Sequence, residues 1–118
     1  MRKRRAQPEA LLQRTVFEHI AYRKRPGWQF WSTPNAAKRS LQMGAELKRQ
    51  GMTAGVGDIS MVSPSGRYHE LELKTATGRL SAAQRERQEQ LKASGVTCAT
   101  AYGLDAALAI LTGWGAIR

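Results

Sequence analysis

The segment from Tyr68 to Thr75 constrains the fold more than any other part of the chain. Its residues alternate, so a β-strand here places two sets on opposite faces, Tyr68, Glu70, Glu72 and Lys74 on one and His69, Leu71 and Leu73 on the other. Two carboxylates and an ammonium therefore line a single surface. Residues 58–62 form a second strand pattern, and the turn residues 63–67 between the two predict a β-hairpin. This hairpin brings Asp58 close to the Glu72 region of its neighbour.

The other elements follow from caps and breaks along the chain. Helices are predicted over 8–24, 36–50, 81–94 and 106–112, and strands over 28–32 and 96–102. Capping or ending residues support these bounds: Asn35, Ser81 and Asp105 at helix starts, and Gly27, Gly51, Gly95 and Gly113 at helix ends. Ser81 and Gln84 also have the spacing of a capping box. The order α-β-α-β-β-α-β-α predicts an α/β fold with a mixed central sheet flanked by helices.

A chain of 118 residues has room for one domain. We predict that domain over 8–118, after a basic mobile arm at 1–7. No apolar run approaches the ~20 residues that span a bilayer, and the basic start leads into no apolar stretch of the signal-peptide type. The single cysteine, Cys98, excludes an internal disulfide framework. We therefore expect a cytoplasmic protein without a membrane partner.

The charge balance predicts a polyanionic partner. Nineteen Lys and Arg residues stand against nine Asp and Glu residues, giving a formal net charge of +10. Three of the nine acids converge on the hairpin, where they would repel phosphate unless a divalent cation lay between them. Mg²⁺ is held by one or two carboxylates plus substrate oxygens, which is the chemistry of metal-assisted phosphodiester cleavage. The alternative is a solvated outer strand face with a weak Glu72–Lys74 ion pair.

Three motifs occur in order along the chain: GMTAGVGDI at 51–59, ELELKT at 70–75 and GRLSAAQ at 78–84. Together they resemble the PD-(D/E)XK nuclease superfamily and, more narrowly, the VRR-NUC domain of the type that stands alone in phage and bacterial proteins. Pro34-Asn35 and Glu9-x-x-x-Gln13 extend the resemblance, which covers roughly residues 9–112. One departure is Gly57, which stands where the superfamily's name has proline. The resemblance implies a restriction-endonuclease-like core and the cytoplasm of a bacterial or phage-infected cell.

The same resemblance assigns roles to the residues that match it. It implies Mg²⁺ or Mn²⁺ held by the carboxylates of Asp58 and Glu72 and by the backbone carbonyl of Leu73. Lys74 would position the attacking water and stabilise charge growing on the phosphate. Gln84 acquires a site role in addition to its capping one.

The family also places an acid on its first helix, where Glu9 and Glu18 both stand as candidates. At ~100° per residue, Glu9 shares an arc with the apolar positions Val16 and Ile20, whereas Glu18 points to the opposite side. This geometry favours Glu9 as a further metal ligand. Glu9 would also complement the helix dipole at the N-terminus of that helix without any ligand.

Candidate nucleic-acid contacts are the cations of the arm and a group near the predicted site: Arg2, Lys3, Arg4, Arg5, Asn35, Lys38, Arg39 and Arg79. Lys38 and Arg39 lie in the first turns of a predicted helix, where the dipole disfavours cations and a bound phosphate would reverse that cost. Asn35 serves as an N-cap by its position and as a substrate-side residue by resemblance. No nucleotide cofactor is expected, because Gly55-x-Gly57 lacks a third glycine and a helix directly after it.

We therefore expect a divalent-metal-dependent DNA endonuclease, with branched, flapped or junction DNA implied by the resemblance. The alternative is a non-catalytic basic module that binds DNA or RNA, although such a module gains nothing from acids on converging strands. A homodimer is also expected. Residues 106–111 are apolar around the whole helix, and Trp28, Phe30 and Trp31 offer a second apolar patch.

Overall fold

The computed structural model describes residues 8–33 and 41–118, and for residues 41–43 only the backbone. Eight elements follow one another in the order that the sequence predicts: α1 (Pro8–Arg23), β1 (Gln29–Ser32), α2 (Leu41–Arg49), β2 (Ile59–Val62), β3 (Tyr68–Lys74), α3 (Ala82–Ala93), β4 (Thr97–Tyr102) and α4 (Leu104–Gly113). The predicted arm at 1–7, the contacts Asn35, Lys38 and Arg39, and the predicted start of the second helix lie outside the described residues.

The four strands form one mixed sheet in the order β1-β2-β3-β4. β2 pairs antiparallel with both β1 and β3, and β3 pairs parallel with β4. Parallel neighbours need a crossover, and α3 supplies it between β3 and β4. The predicted hairpin is present, with Ile59 opposite Leu71 and Ser60 opposite Glu70. The prediction of a mixed sheet flanked by helices is confirmed.

One face of the sheet carries the apolar core. Side chains of β2 and β3 form one buried cluster with side chains of α1 and α4. Its members that are 0–3% exposed include Ile59, Met61, Leu71 and Leu73 of the strands and Val16, Ile20 and Leu111 of the helices. His69 belongs to this side, where its ring lies 5.0 Å from the ring of Trp28 and 5.0 Å from that of Trp114. Packing on this face fixes the orientation of β3, so its acidic residues must point to the opposite side.

The opposite face of the sheet is polar, and α3 covers it. Glu70, Glu72 and Lys74 are only 2%, 5% and 9% exposed. The alternative of a solvated outer strand face is therefore wrong. Burial of charged groups is costly unless they are paired and hydrogen-bonded, so the contacts of these three side chains are the key to this face.

Some element bounds differ from the sequence predictions. α4 begins at Leu104, where Gly103 is the N-cap without a side-chain hydrogen bond, so Asp105 lies in the first turn and not at the cap. The chain enters α4 directly after β4, and the N–H of Gly103 still donates to the carbonyl of Lys74 on β3 at 2.9 Å. At its other end the helix includes Gly113, and the chain reverses at Gly115. β2 begins at Ile59, which leaves Asp58 just outside the strand.

Among residues 8–33 and 41–118, no helix has both the length and the apolar character needed to cross a membrane.

Candidate active site

A pocket of about 640 Å³ opens where β2 begins, β3 ends and α3 starts. Its charged and amide side chains are Glu9, Asp58, Glu72, Lys74, Gln84 and Arg87. The structure thus brings together all four residues predicted to be catalytic, together with the favoured acid of the first helix. Residues 52–56, which connect α2 to β2, form another wall.

Asp58 owes its position to the hairpin register. Because Ser60 lies opposite Glu70, the next pair on the same face is Asp58 with Glu72. The backbone N–H of Leu73 donates to Asp58 Oδ2 at 2.8 Å. In a strand the N–H and C=O of one residue point toward the same neighbouring strand, so the Leu73 carbonyl is also directed to the Asp58 side.

Within residues 8–33 and 41–118, the two carboxylate oxygens of Glu72 have different surroundings. Its Oε2 accepts from Gln84 Nε2 at 2.9 Å and lies 3.5 Å from Lys74 Nζ. Its Oε1 is buried and has no hydrogen-bond partner among the residues that the structure describes. Two ionised carboxylates can only accept, so Asp58 offers this oxygen a hydrogen bond only when one of the two acids carries a proton.

Both acids have raised pKa values. Burial, followed by the negative charge of Asp58, raises the pKa of Glu72 to about 8. Burial also raises the pKa of Asp58, to which the nearby charge of Glu9 adds. Without a cation the pair therefore retains a proton near neutral pH. A bound divalent cation would displace that proton and supply the missing partner of Oε1.

Glu70 stands on the same strand face but has a full set of donors. Tyr68 Oη donates to Oε1 at 2.6 Å, the Gly57 N–H donates to Oε2 at 2.8 Å, and Arg87 donates to both oxygens at 3.1 and 3.3 Å. Burial alone would raise the pKa of Glu70, but these donors outweigh it and lower the pKa. The pKa values of these neighbouring glutamates on one strand are thus shifted in opposite directions.

The turn that leads to Asp58 depends on two glycines. Gly55 has φ +81°, and a Cβ there would clash with the Ala83 carbonyl oxygen. A Cβ on Gly57 would lie 2.8 Å from Glu70 Cγ. Gly57 also donates its N–H to Glu70, which the proline of the superfamily's name could not do. In this chain, glycine at position 57 therefore permits the hydrogen bond to Glu70.

The remaining predicted residues fall in and around the pocket. Glu9 is largely exposed and lines the pocket, whereas Glu18 is exposed and does not line it. Within the described residues, no group of three Asp, Glu, His or Cys side chains that could hold a metal ion is found. Glu9 is near enough to Asp58 for its charge to raise the pKa of that acid. Arg79 is exposed on the loop between Lys74 and Ser81.

Gln84 has both of its predicted contacts. Its Oε1 accepts from the Ser81 N–H at 2.8 Å, which completes the capping box. Its Nε2 donates to Glu72 and so places the residue at the pocket.

Sequence reasoning missed Arg87 and the Gly57–Glu70 contact. Arg87 follows Gln84 by three residues on α3, so the two side chains share a helix face. Glu70 precedes Glu72 by two residues and shares its strand face. If α3 covers that face, the same offset predicts that Arg87 meets Glu70 as Gln84 meets Glu72. The matched spacing of the two pairs is visible in the sequence, whereas the packing of α3 on this face is a feature of the tertiary structure.

Solved structures of other proteins share this architecture. One, a "VRR_NUC domain protein", has a TM-score of 0.76 and 21% sequence identity, and the match covers 94% of this chain and 90% of that one. The fold is that of VRR_NUC domains. A second, described as "VRR_NUC domain", has a TM-score of 0.63 and 14% identity over 92% of this chain and 99% of the other. No protein-family model and no curated protein matches the sequence. The resemblance predicted from the three motifs is confirmed at the level of the fold.

Proposed function

We propose that the chain is a divalent-metal-dependent DNA endonuclease that hydrolyses phosphodiester bonds at this pocket. The observation that carries the proposal is the pair of buried carboxylates, Asp58 and Glu72, beside the Lys74 ammonium. Among the described residues, no donor reaches the second oxygen of Glu72. Burying carboxylates side by side is costly unless a cation or hydrogen-bond donors compensate their charge. Binding a cation is the role that fits all of these contacts.

The residues present fit Mg²⁺ or Mn²⁺. Both are hard cations that take carboxylate and carbonyl oxygens, and the Asp58 and Glu72 carboxylates with the Leu73 carbonyl offer that donor set. When bound, the cation would polarise the phosphoryl group and lower the pKa of a water molecule. A shell completed by water and substrate oxygens suits Mg²⁺, for which one or two carboxylates are enough.

Lys74 and Gln84 act as orienting and charge-stabilising groups. The ammonium of Lys74 is held 3.5 Å from Glu72 and faces the pocket, where it would donate to the attacked phosphate or to the attacking water. Gln84 holds Glu72 by its amide, and that amide is itself fixed by the capping box. Both side chains are therefore arranged before DNA binds.

Three features support DNA as the partner. The net charge of +10 favours a phosphate polymer, Arg79 is exposed on the loop that joins two pocket-lining residues, and the pocket opens to the surface. Selectivity for junction, flap or branched DNA is part of the proposal through the resemblance alone.

The test is a cleavage panel of duplex, single-stranded, flap and four-way-junction DNA with Mg²⁺, Mn²⁺ or EDTA. Cleavage should require the metal, and Asp58→Ala should abolish it while binding to DNA persists. The conservative variant Asp58→Asn keeps the shape of the side chain and controls for local collapse. Binding without metal-dependent cleavage of any of these substrates would favour the non-catalytic module.

A further inference from the structure

Glu70 is a buried carboxylate that lies next to the pocket without lining it. Its two oxygens accept from Tyr68, from the backbone N–H of Gly57 and twice from Arg87. The proposed reaction has no use for this group, because each lone-pair direction is already occupied by a donor from the protein. The Glu70–Arg87 ion pair is nevertheless buried close to the Glu72–Lys74 pair.

The hydrogen bond from the Gly57 N–H connects Glu70 to the site, because Gly57 directly precedes Asp58. Asp58 lies outside β2, so the β2–β3 ladder does not hold the backbone on its N-terminal side. On the C-terminal side its carbonyl accepts from the Thr33 N–H at 3.0 Å. On the N-terminal side, the hydrogen bond from Gly57 to Glu70 fixes a residue with the widest backbone freedom of all.

Arg87 gives Glu70 its counter-charge. The guanidinium lies 3.1 Å from Glu70 Oε1 and comes from the helix that also carries Gln84. Without it, a third buried carboxylate would stand two residues from Glu72 on the same face and compete for any cation. With it, the negative charge offered to the pocket from β3 is that of Glu72.

We propose that Glu70 is a positioning residue that holds the Gly57–Asp58 turn in place, with Arg87 as its counter-charge. The inference rests on the proposed function for its catalytic consequence. The placement of Gly57 and Asp58 is a structural claim that can be measured independently of cleavage.

Two double variants separate positioning from simple stability. Glu70→Leu with Arg87→Leu removes the whole pair and leaves the Gly57 N–H without an acceptor. Glu70→Gln with Arg87→Leu removes the same charges but keeps a side-chain oxygen for Gly57 and an amide for Tyr68. Removing both partners avoids an unpaired buried charge, and apolar replacement of a buried ion pair is often tolerated. The two variants therefore differ in whether residue 70 offers a polar side chain, and with it an oxygen acceptor for the Gly57 N–H.

Three readouts are taken at a temperature where circular dichroism finds both variants and the wild type folded. Mn²⁺ affinity is measured by calorimetry without DNA, exchange of the Gly57 amide by NMR on glycine-labelled protein, and kcat and KM on the best DNA substrate. We expect the Glu70→Leu/Arg87→Leu variant to bind Mn²⁺ about tenfold or more weakly than the wild type, as when a group that orients a metal ligand is lost. Its kcat should fall with KM little changed, and its Gly57 amide should exchange faster. The Glu70→Gln/Arg87→Leu variant should stay close to the wild type in Mn²⁺ affinity and in exchange of the Gly57 amide.

The outcomes are distinct. The inference would be overturned if the Glu70→Leu/Arg87→Leu variant kept the Mn²⁺ affinity and kcat of the wild type. It would also be overturned if both double variants lost Mn²⁺ affinity equally, since the acceptor for Gly57 would then be irrelevant. A wild type that binds Mn²⁺ but cuts none of the DNA substrates would defeat the proposed function alone. The affinities and amide exchange of the variants would still decide the role of Glu70.

Discussion

At the scale of single residues, the site is defined by three side chains that share one strand face and meet three different fates. Both oxygens of Glu70 accept hydrogen bonds, whereas one oxygen of Glu72 has no donor among the described residues. The ammonium of Lys74 lies 3.5 Å from the other oxygen of Glu72. Burial is similar for all three. Their chemistry is therefore set by the partners that α3 and the 55–58 turn provide.

Replacing Lys74 by Met should remove the charge while keeping most of the side-chain volume. We expect cleavage at saturating DNA to fall by about 10²–10³-fold, as when one preorganised donor to a transition state is lost. DNA binding should change by no more than one phosphate contact. The measurement is single-turnover cleavage beside a filter-binding or anisotropy titration. Lys92→Met, the same substitution at an exposed position of α3, is the matched control and should cut normally.

The raised pKa of Glu72 predicts how stability depends on pH. In the folded protein this pKa is about 8, above its ordinary value of 4.5, so between these values the folded protein holds a proton that the unfolded chain has released. The metal-free protein should therefore be most stable, with respect to this group, below pH 4.5 and lose that contribution as pH rises to about 8. Thermal unfolding of the wild type and of Glu72→Gln, each with EDTA, checks this. Equal pH profiles for the two proteins would contradict the prediction.

The same proton makes metal binding depend on pH in the opposite sense. Because the cation must displace it, Mn²⁺ affinity should rise by up to about tenfold per pH unit below about 8 and then level off. Calorimetry in buffers of different ionisation enthalpy measures the released proton directly. An affinity that stays constant from about pH 6 to about pH 8 would mean that Glu72 is already ionised.

At the scale of elements, the N-terminus of α3 links helix formation to the site. Ser81→Ala removes the acceptor for the Gln84 N–H and should cost ~1 kcal/mol of stability with cleavage largely retained. Gln84→Glu keeps an oxygen for the Ser81 N–H but replaces the donor to Glu72 by a negative charge. It should fold with a similar helix and bind Mn²⁺ with altered pH dependence and reduced kcat. Unfolding curves and Mn²⁺ titrations on both variants separate the two roles, and identical behaviour would show that they are one.

At the scale of the whole molecule, the basic arm should supply affinity that is independent of sequence. Arg2, Lys3, Arg4 and Arg5 precede the described residues and carry four charges. Replacing all four by Gln, which keeps the length of the chain, should weaken DNA binding and reduce its salt dependence by up to about four phosphate contacts' worth. Turnover at saturating DNA should hold. A salt slope equal to that of the wild type would exclude contact between the arm and phosphate.

A homodimer remains a prediction, and the structure favours Trp31 on β1 over α4 as the apolar surface that would form its interface. The outward side of α4 carries Asp105, Ala109 and Thr112, so this helix does not present the broad apolar surface that its composition predicts. Within the predicted aromatic patch, Trp28 is buried, whereas Trp31 on the edge strand β1 is 45% exposed. Light scattering should give twice the 13.1 kDa of one chain, and Trp31→Ala should lower that mass. Tyr22→Ala, at an exposed tyrosine on α1, is the control. A wild-type mass of one chain would remove the idea.

The sequence by itself determined the elements and the faces of the hairpin. Alternation in 68–74 separates the apolar residues from the acids, and the turn at 63–67 sets a register in which Asp58 faces Glu72. The Ser81–Gln84 spacing located the start of α3. These features are local or depend on one hairpin, so pattern and turn chemistry are enough to predict them.

Only the tertiary structure decided what each charged group does. α3 packs over the acidic face, which buries residues that alternation alone would leave in water, and Arg87 and Gln84 then select different glutamates. The bond between Gly57 and Glu70 joins residues thirteen positions apart, and Glu9 reaches the pocket from the first helix. Such contacts depend on how elements pack across the sheet. Burial then turns small differences in partners into opposite pKa shifts, because an unpaired charge is costly where water is excluded.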